Sequence, residues 1–249
     1  MSTTNPDDEI DYLPPPDTGL DLIHADDGLV VVVKPAGLLS VPGRGAERAD
    51  CMASRVQTRF ADALIVHRLD MATSGLLVFG RGPEVQRKLS IAFAGRDVHK
   101  RYEAVVHGLV PAEQGEIDLP LITDWPRRPR QMVCFERGKP SLTRFRVIER
   151  DALRGTTRVS LEPVTGRSHQ LRVHLMALGH PIVGDPLYGP DAAGALAAGG
   201  TDGCDGEEGE EGDDGAGTVA SRLMLHAAEL GLPHPRDGVP RIWSSPVPF

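Results

Sequence analysis

Cysteine is scarce in this chain: Cys51, Cys134 and Cys204 are the three in 249 residues, far apart and without a CxxC pair. That spacing argues against a structural zinc site and a disulfide framework, and predicts reduced thiols in a cytoplasmic protein. Long apolar runs are missing too. None approaches the ~18 residues of a membrane helix, so no membrane partner is expected. The first twenty residues lack the basic start and apolar stretch of a signal peptide, and the Arg of a transit peptide. A GxxxxGK[ST] run is absent, which disfavours P-loop nucleotide chemistry. Basic residues are absent from two stretches. Residues 1–27 hold eight acids, residues 201–217 hold eight more, and neither holds a Lys or Arg. The rest of the chain carries 27 bases against 19 acids, so the formal charge of −8 hides a basic body suited to a polyanion.

Hydropathy patterning predicts the elements. Residues 1–20 read as a disordered acidic tail around Pro14-Pro15-Pro16. Gly28–Lys34 is an unbroken β-branched run, expected to be a strand buried on both faces. A helix over 52–60, a strand over 75–80 and a helix over 83–94 with Pro near its start follow. Tyr102, Ala104 and Val106 alternate along a strand over 101–107. Strands over 142–149 and 156–162 are expected to pair across 153–155. Leu171, Leu175 and Leu178 mark a helix over 168–178, capped by Thr165 or Ser168. Residues 192–217 are low complexity and read as a disordered loop; a late strand starts near Leu223. The expected fold is α+β: a mostly antiparallel mixed sheet with flanking helices, in one domain over 21–249.

One carboxylate stands out. Asp70 lies in the polar turn Val66-His67-Arg68-Leu69-Asp70-Met71-Ala72-Thr73-Ser74-Gly75, between two apolar segments. Such an acid can be a turn or cap residue, or a nucleophile that needs no metal. Phosphatases of the D-x-D type need a second acid two residues on, where this chain has Ala72. His169 and His174 are five apart, poor spacing for two metal ligands. No metal or other cofactor is expected.

Three patches together carry a resemblance: the Asp70 turn, Lys100-Arg101-Tyr102-Glu103-Ala104, and Gly166-Arg167-Ser168-His169-Gln170-Leu171-Arg172-Val173-His174. They are similar, in order and rough spacing, to the H-R-L-D-x-x-T-S-G, K-x-Y-x-A and G-R-x-H-Q-[IL]-R-x-H motifs of the RluA family of pseudouridine synthases. Gly179–Asp185 continues the third. The segments 38–44, 118–126 and 138–140 resemble the family's dual-specificity subgroup, and no S4-like domain is expected before the core. The resemblance implies the pseudouridine synthase catalytic fold and the isomerisation of uridine in structured RNA without a cofactor. For the subgroup, the substrates implied are uridine 746 in a 23S rRNA stem-loop and uridine 32 in a tRNA anticodon stem-loop.

The same resemblance implies that Asp70 attacks the nucleoside and that Tyr102 stacks on the base and accepts the C5 proton. It implies that Arg172 pairs with Asp70 and that Arg68 fills the space the extruded base leaves. The expected RNA contacts are Arg68, His67, Arg167, His169, Gln170, Lys34 and Arg44, with Trp125, Arg127, Arg128 and Arg130 as an aromatic and basic clamp. Lys100, Arg101 and Lys139 are further phosphate candidates. A monomer is the default. The competing readings are an RNA-binding protein without catalysis, a metal-dependent phosphohydrolase, and a synthase for a different rRNA uridine.

Overall fold

The computed structural model describes residues 12–190 and 222–249. The acidic loop over 192–217 therefore lies outside the described residues, as does the tail over 1–11. Residues 12–20 of the expected tail are among those described. They carry no regular structure, yet Tyr12 donates its hydroxyl to the Asp50 carbonyl and accepts the Leu39 N–H.

The first half of the sheet forms from β1 (Leu22–Ala25), β2 (Leu29–Lys34), β3 (Ala63–Ile65) and β4 (Ser74–Arg81). Alternate residues of an apolar run point to opposite faces, so β2 and β4 must be covered twice. Val30, Val32, Leu77 and Phe79 pack toward α1 (Met52–Arg59), while Leu29, Val31, Leu76 and Val78 pack toward α2 (Gly82–Gly95). One of the scarce cysteines starts α1: the Cys51 thiol accepts the Ser54 N–H, and the Ser54 hydroxyl accepts the Cys51 N–H.

The second half uses β5 (His99–His107), β6 (Gln114–Asp118), β9 (Leu142–Asp151) and β10 (Thr156–Pro163), after the small hairpin of β7 (Leu121–Thr123) and β8 (Gln131–Val133). Here one face is apolar. Ala104, Val106, Val159 and Leu161 pack on Leu171 and Leu175 of α3 (Gln170–Ala177). Arg144 and Arg146 face outward and are exposed. Leu178, expected in the α3 stripe, is 41% exposed instead, because the helix ends at Ala177. Neither expected cap is used. His169 occupies the cap position in the left-handed region (φ 53°), without a side-chain cap bond.

β11 (Leu225–Pro233) joins the halves. The ten-stranded sheet runs β1-β2-β4-β11-β5-β10-β9-β6, with β12 (Pro240–Ser244) paired to β11 and β3 to β4. Among the described strands, β4 and β11 are the parallel pair, with His226 opposite Ser74 and Ala227 opposite Gly75. That junction needs glycine. Gly75 has φ +118°, and a Cβ there would lie 2.4 Å from the Ala227 carbonyl oxygen. The Asp70 turn is thereby held where the two halves meet.

Candidate active site

A cleft of about 1360 Å³ opens over this junction. Its floor takes Asp70 from the turn before β4, Tyr102 from β5, and His169 from the start of α3. Asp70 is 30% exposed in its side chain, so it is open to a substrate and still partly shielded. Arg172 Nη1 lies 3.7 Å from Asp70 Oδ2, and His169 Nε2 lies 4.0 Å from the same oxygen.

The expected Asp70–Arg172 pair is present but is the looser of two. Arg172 is 3% exposed and grips Asp185 bidentately, Nε to Oδ2 at 2.7 Å and Nη2 to Oδ1 at 2.6 Å. Two parallel charge-assisted bonds fix the guanidinium plane. The outer Nη1 is thereby aimed at Asp70. Asp185 is itself tied down by the N–H groups of Leu187 and Tyr188. Sequence reading quoted Asp185 only as a continuation of the third motif. The signal that could have found it is its position just beyond that motif, in a turn with backbone donors to spare.

Tyr188 was missed altogether. It is fully buried, and Arg172 stacks on its ring at 5.0 Å. Its hydroxyl accepts the Gln131 N–H at 2.7 Å and lies 2.8 Å from His169 Nδ1. With the Tyr188 O–H donating to Nδ1, the hydroxyl and Nδ1 are satisfied and His169 turns its Nε2–H toward Asp70. Burial pushes the His169 pKa down, against the pull of the Asp70 charge, with Arg172 also lowering it. Tyr102 is pushed up from its ordinary value by burial and then by the Asp70 charge, so it is held as the neutral phenol.

A second buried network anchors the turn from behind. Arg222 donates to the Ser74 hydroxyl at 2.6 Å, Ser74 meets His226 Nδ1 at 2.8 Å, and His226 Nε2 meets the Ser245 hydroxyl at 3.1 Å. Burial drives the His226 pKa down to about 4, Arg222 adding to the effect, so the ring stays neutral.

Several residues expected at the RNA are engaged by the protein itself. Lys34 is 0% exposed. Its ammonium donates to the carbonyls of Pro35, Leu38 and Met71, tying the loop after β2 to the residue after Asp70. Burial pushes its pKa down to about 7 while the Asp70 charge pulls it up; three carbonyl acceptors match the three protons of the charged form. Gln170 is 3% exposed and spends its amide on Thr165, the Arg167 N–H, Leu142 and Thr143. His169 faces Asp70 and Tyr188. His67 stacks on Phe93 at 4.4 Å and accepts the Val78 N–H on Nε2. Arg101 points to the sheet face opposite Tyr102 and pairs with Glu103 at 2.8 Å.

The rim keeps the others. Arg44, Arg68, Arg128 and Arg167 line the cleft. Arg68 makes no hydrogen bond or ion pair among the described residues, while Arg167 only reaches the Pro140 carbonyl at 3.4 Å. Arg128 stacks over the exposed Trp125 at 4.5 Å. Arg127 is spent on Asp124 at 2.8 Å and, like Arg130 and Trp125, does not line the cleft wall. Among the described residues no group of three His, Cys, Asp or Glu could hold a metal ion.

Comparison with known proteins gives a consistent answer. The RNA pseudouridylate synthase family matches residues 28–177. The dual-specificity RNA pseudouridine synthase RluA of Pasteurella multocida is 46% identical over 226 residues, covering 91% of this chain and 92% of that protein. The protein of the same name from Escherichia coli K12 is 43% identical over 238 residues, covering 96% and 98%. Among solved structures, human RNA pseudouridylate synthase domain containing 1 superposes with a TM-score of 0.72 at 27% identity, over 95% of this chain and 87% of that one.

Proposed function

This chain belongs to the RluA family of RNA pseudouridine synthases, and from that premise we propose that it converts uridine to pseudouridine in two RNA classes, with Asp70 as the attacking acid. The observation that carries the assignment of Asp70 is its place on the cleft floor, half-shielded and aimed at by Arg172. The substrate classes rest on likeness to the dual-specificity relatives: a 23S rRNA stem-loop with the uridine at 746, and a tRNA anticodon stem-loop with the uridine at 32.

The reaction is an isomerisation, so no atom is imported. The N1–C1′ bond breaks, the uracil turns, C5 bonds to C1′, the C5 proton leaves and N1 gains one. In this reading Asp70 stays ionised beside Arg172 and supplies the charge that acts on the sugar. Attack at C1′ and a glycal route both start from this carboxylate. Tyr102 lies under the base as a stacking platform. Held as a phenol, it can take the C5 proton only as its own proton leaves. Arg68, free of partners among the described residues, suits the gap left by an extruded nucleotide. Arg44, Arg128 and Arg167 suit phosphates at the rim. We place the enzyme in the cytoplasm as a monomer; the two cysteines among the described residues, Cys51 and Cys134, are free thiols, which suits a reducing compartment.

The test is tritium release from C5-labelled uridine, with the rRNA stem-loop and the tRNA offered separately. Wild type is expected to release tritium from both, and Asp70→Asn to lose at least about a thousandfold in rate while still binding RNA. Tight binding without release by wild type would instead favour an RNA-binding protein or a different target uridine.

A further inference from the structure

We propose that Lys100, Arg96 and His67 form a seat for one backbone phosphate of the RNA, next to the nucleotide whose base lies on Tyr102. This rests on the RNA-modifying function proposed above and adds a binding site to it.

Lys100 and Tyr102 are two apart on β5, so their side chains leave the same face of the strand, roughly 7 Å apart at the backbone. Both line the cleft, and so do His67, Phe93 and Arg96 beside them. Lys100 is half-buried, and a Cβ on Gly166 across the cleft would lie 3.9 Å from Lys100 Nζ. Arg96 ends α2 in the left-handed region (φ 67°) close enough to press on the Lys100 charge.

Among the described residues neither Lys100 nor Arg96 makes an ion pair or a hydrogen bond through its side chain. A half-buried ammonium beside a guanidinium is unfavourable, and an anion between them relieves both. Burial first and Arg96 second lower the Lys100 pKa. The third member is a directed donor. Val78 gives its N–H to His67 Nε2, which places the ring proton on Nδ1, and Phe93 fixes the ring by stacking. Burial and the Lys100 charge drive the His67 pKa down to about 3, so the ring is a neutral donor at any working pH.

Two cations and one N–H donor around a cleft wall match a phosphodiester: singly charged, with two free oxygens. The rim arginines differ. They are exposed and stand on loops and turns, whereas this seat is built on the end of α2, on β5 and on the turn before Asp70. A phosphate held here would set how far the target base enters the pocket.

The experiment uses a synthetic tRNA anticodon stem-loop with the uridine at 32, scored for tritium release in parallel. Versions with a single uncharged methylphosphonate replace each of the three phosphates nearest that uridine in turn. Equilibrium binding is measured for wild type, Lys100→Met and Arg96→Met. At one position the neutral linkage is expected to weaken wild-type binding about tenfold. Lys100→Met weakens binding of the natural RNA by a similar factor, and the two losses do not multiply. The slope of log Kd against log salt shrinks by about 0.7–0.9 for Lys100→Met, the value for one phosphate contact. Losses that multiply at every position, or an unchanged slope, overturn the proposal. If Lys100→Met does not fold, Arg96→Met, at an exposed residue, is held to the same two criteria. Wild type that binds without releasing tritium would defeat the proposed function, while the methylphosphonate cycle still reads the seat.

Discussion

The floor and the rim of the cleft use the same residue types for opposite ends. Beneath the floor, Arg172 and Lys34 are buried and bound to protein acceptors, Arg172 to the Asp185 carboxylate and Lys34 to three carbonyls. On the rim, Arg44, Arg68 and Arg128 are exposed and keep theirs. A buried cation is costly unless fully paired, so the floor cations hold geometry. An exposed cation costs little and can meet a polyanion by displacing counterions, so the rim cations supply affinity. Lys100 and Arg96 lie between the two classes: Lys100 is half-buried, Arg96 is exposed, and among the described residues neither side chain has a protein acceptor.

The comparison can be broken at its strongest point. Asp185→Ala leaves Arg172 buried without its main partner, and is expected to cost about 3–5 kcal/mol of stability in urea denaturation together with most of the turnover. A loss below about 1 kcal/mol would mean that Asp70 alone can hold Arg172 and that the floor is less rigid than described. Next in size, Tyr102→Phe removes the hydroxyl and keeps the stacking ring. Turnover is expected to fall about 10²-fold with RNA binding within threefold; a fall in binding alone would leave Tyr102 as a platform only.

Acid tests the buried histidines. His67 and His226 have folded pKa values of about 3 and about 4, below the ordinary 6.5. Between those values the unfolded chain binds more protons, so the stabilisation is complete above 6.5 and is lost as pH falls toward 4. The denaturation midpoint should drop from pH 7 to pH 5, and His226→Gln should flatten that drop. A midpoint indifferent to pH would show the rings to be accessible. The smallest effects sharpen the rim. Arg128→Ala is expected to weaken RNA binding about three- to tenfold with a smaller salt slope, while Arg127→Ala, already spent on Asp124, stays within twofold.

Local pattern carried much of the fold. Val30 to Val33 are flanked on both sheet faces because an unbroken β-branched run has no polar side to offer water. Tyr102, Ala104 and Val106 alternate because one face of β5 meets α3 and the other meets solvent. Leu178 broke its pattern because periodicity does not say where a helix stops. For the site, Asp70 and Tyr102 line one cleft, and Arg172 lies behind it, 3.7 Å from Asp70. Lys34 and Gln170, expected at the RNA, are bonded within the protein, and a polar residue in a motif looks alike whether it faces ligand or holds a loop.

Sequence by itself determined the kind of protein: the acid in its turn, the two companion motifs and the alternation of apolar runs are local, and their spacing is visible without a fold. Only the tertiary structure decided which charges are free to act. Arg172 is claimed by Asp185, Lys34 by the carbonyl of Met71, and Ser74 by His226, 152 residues away. The Lys34 and Ser74 pairings join elements that meet only when the sheet assembles, and burial then sets the cost of leaving any of these groups unpaired.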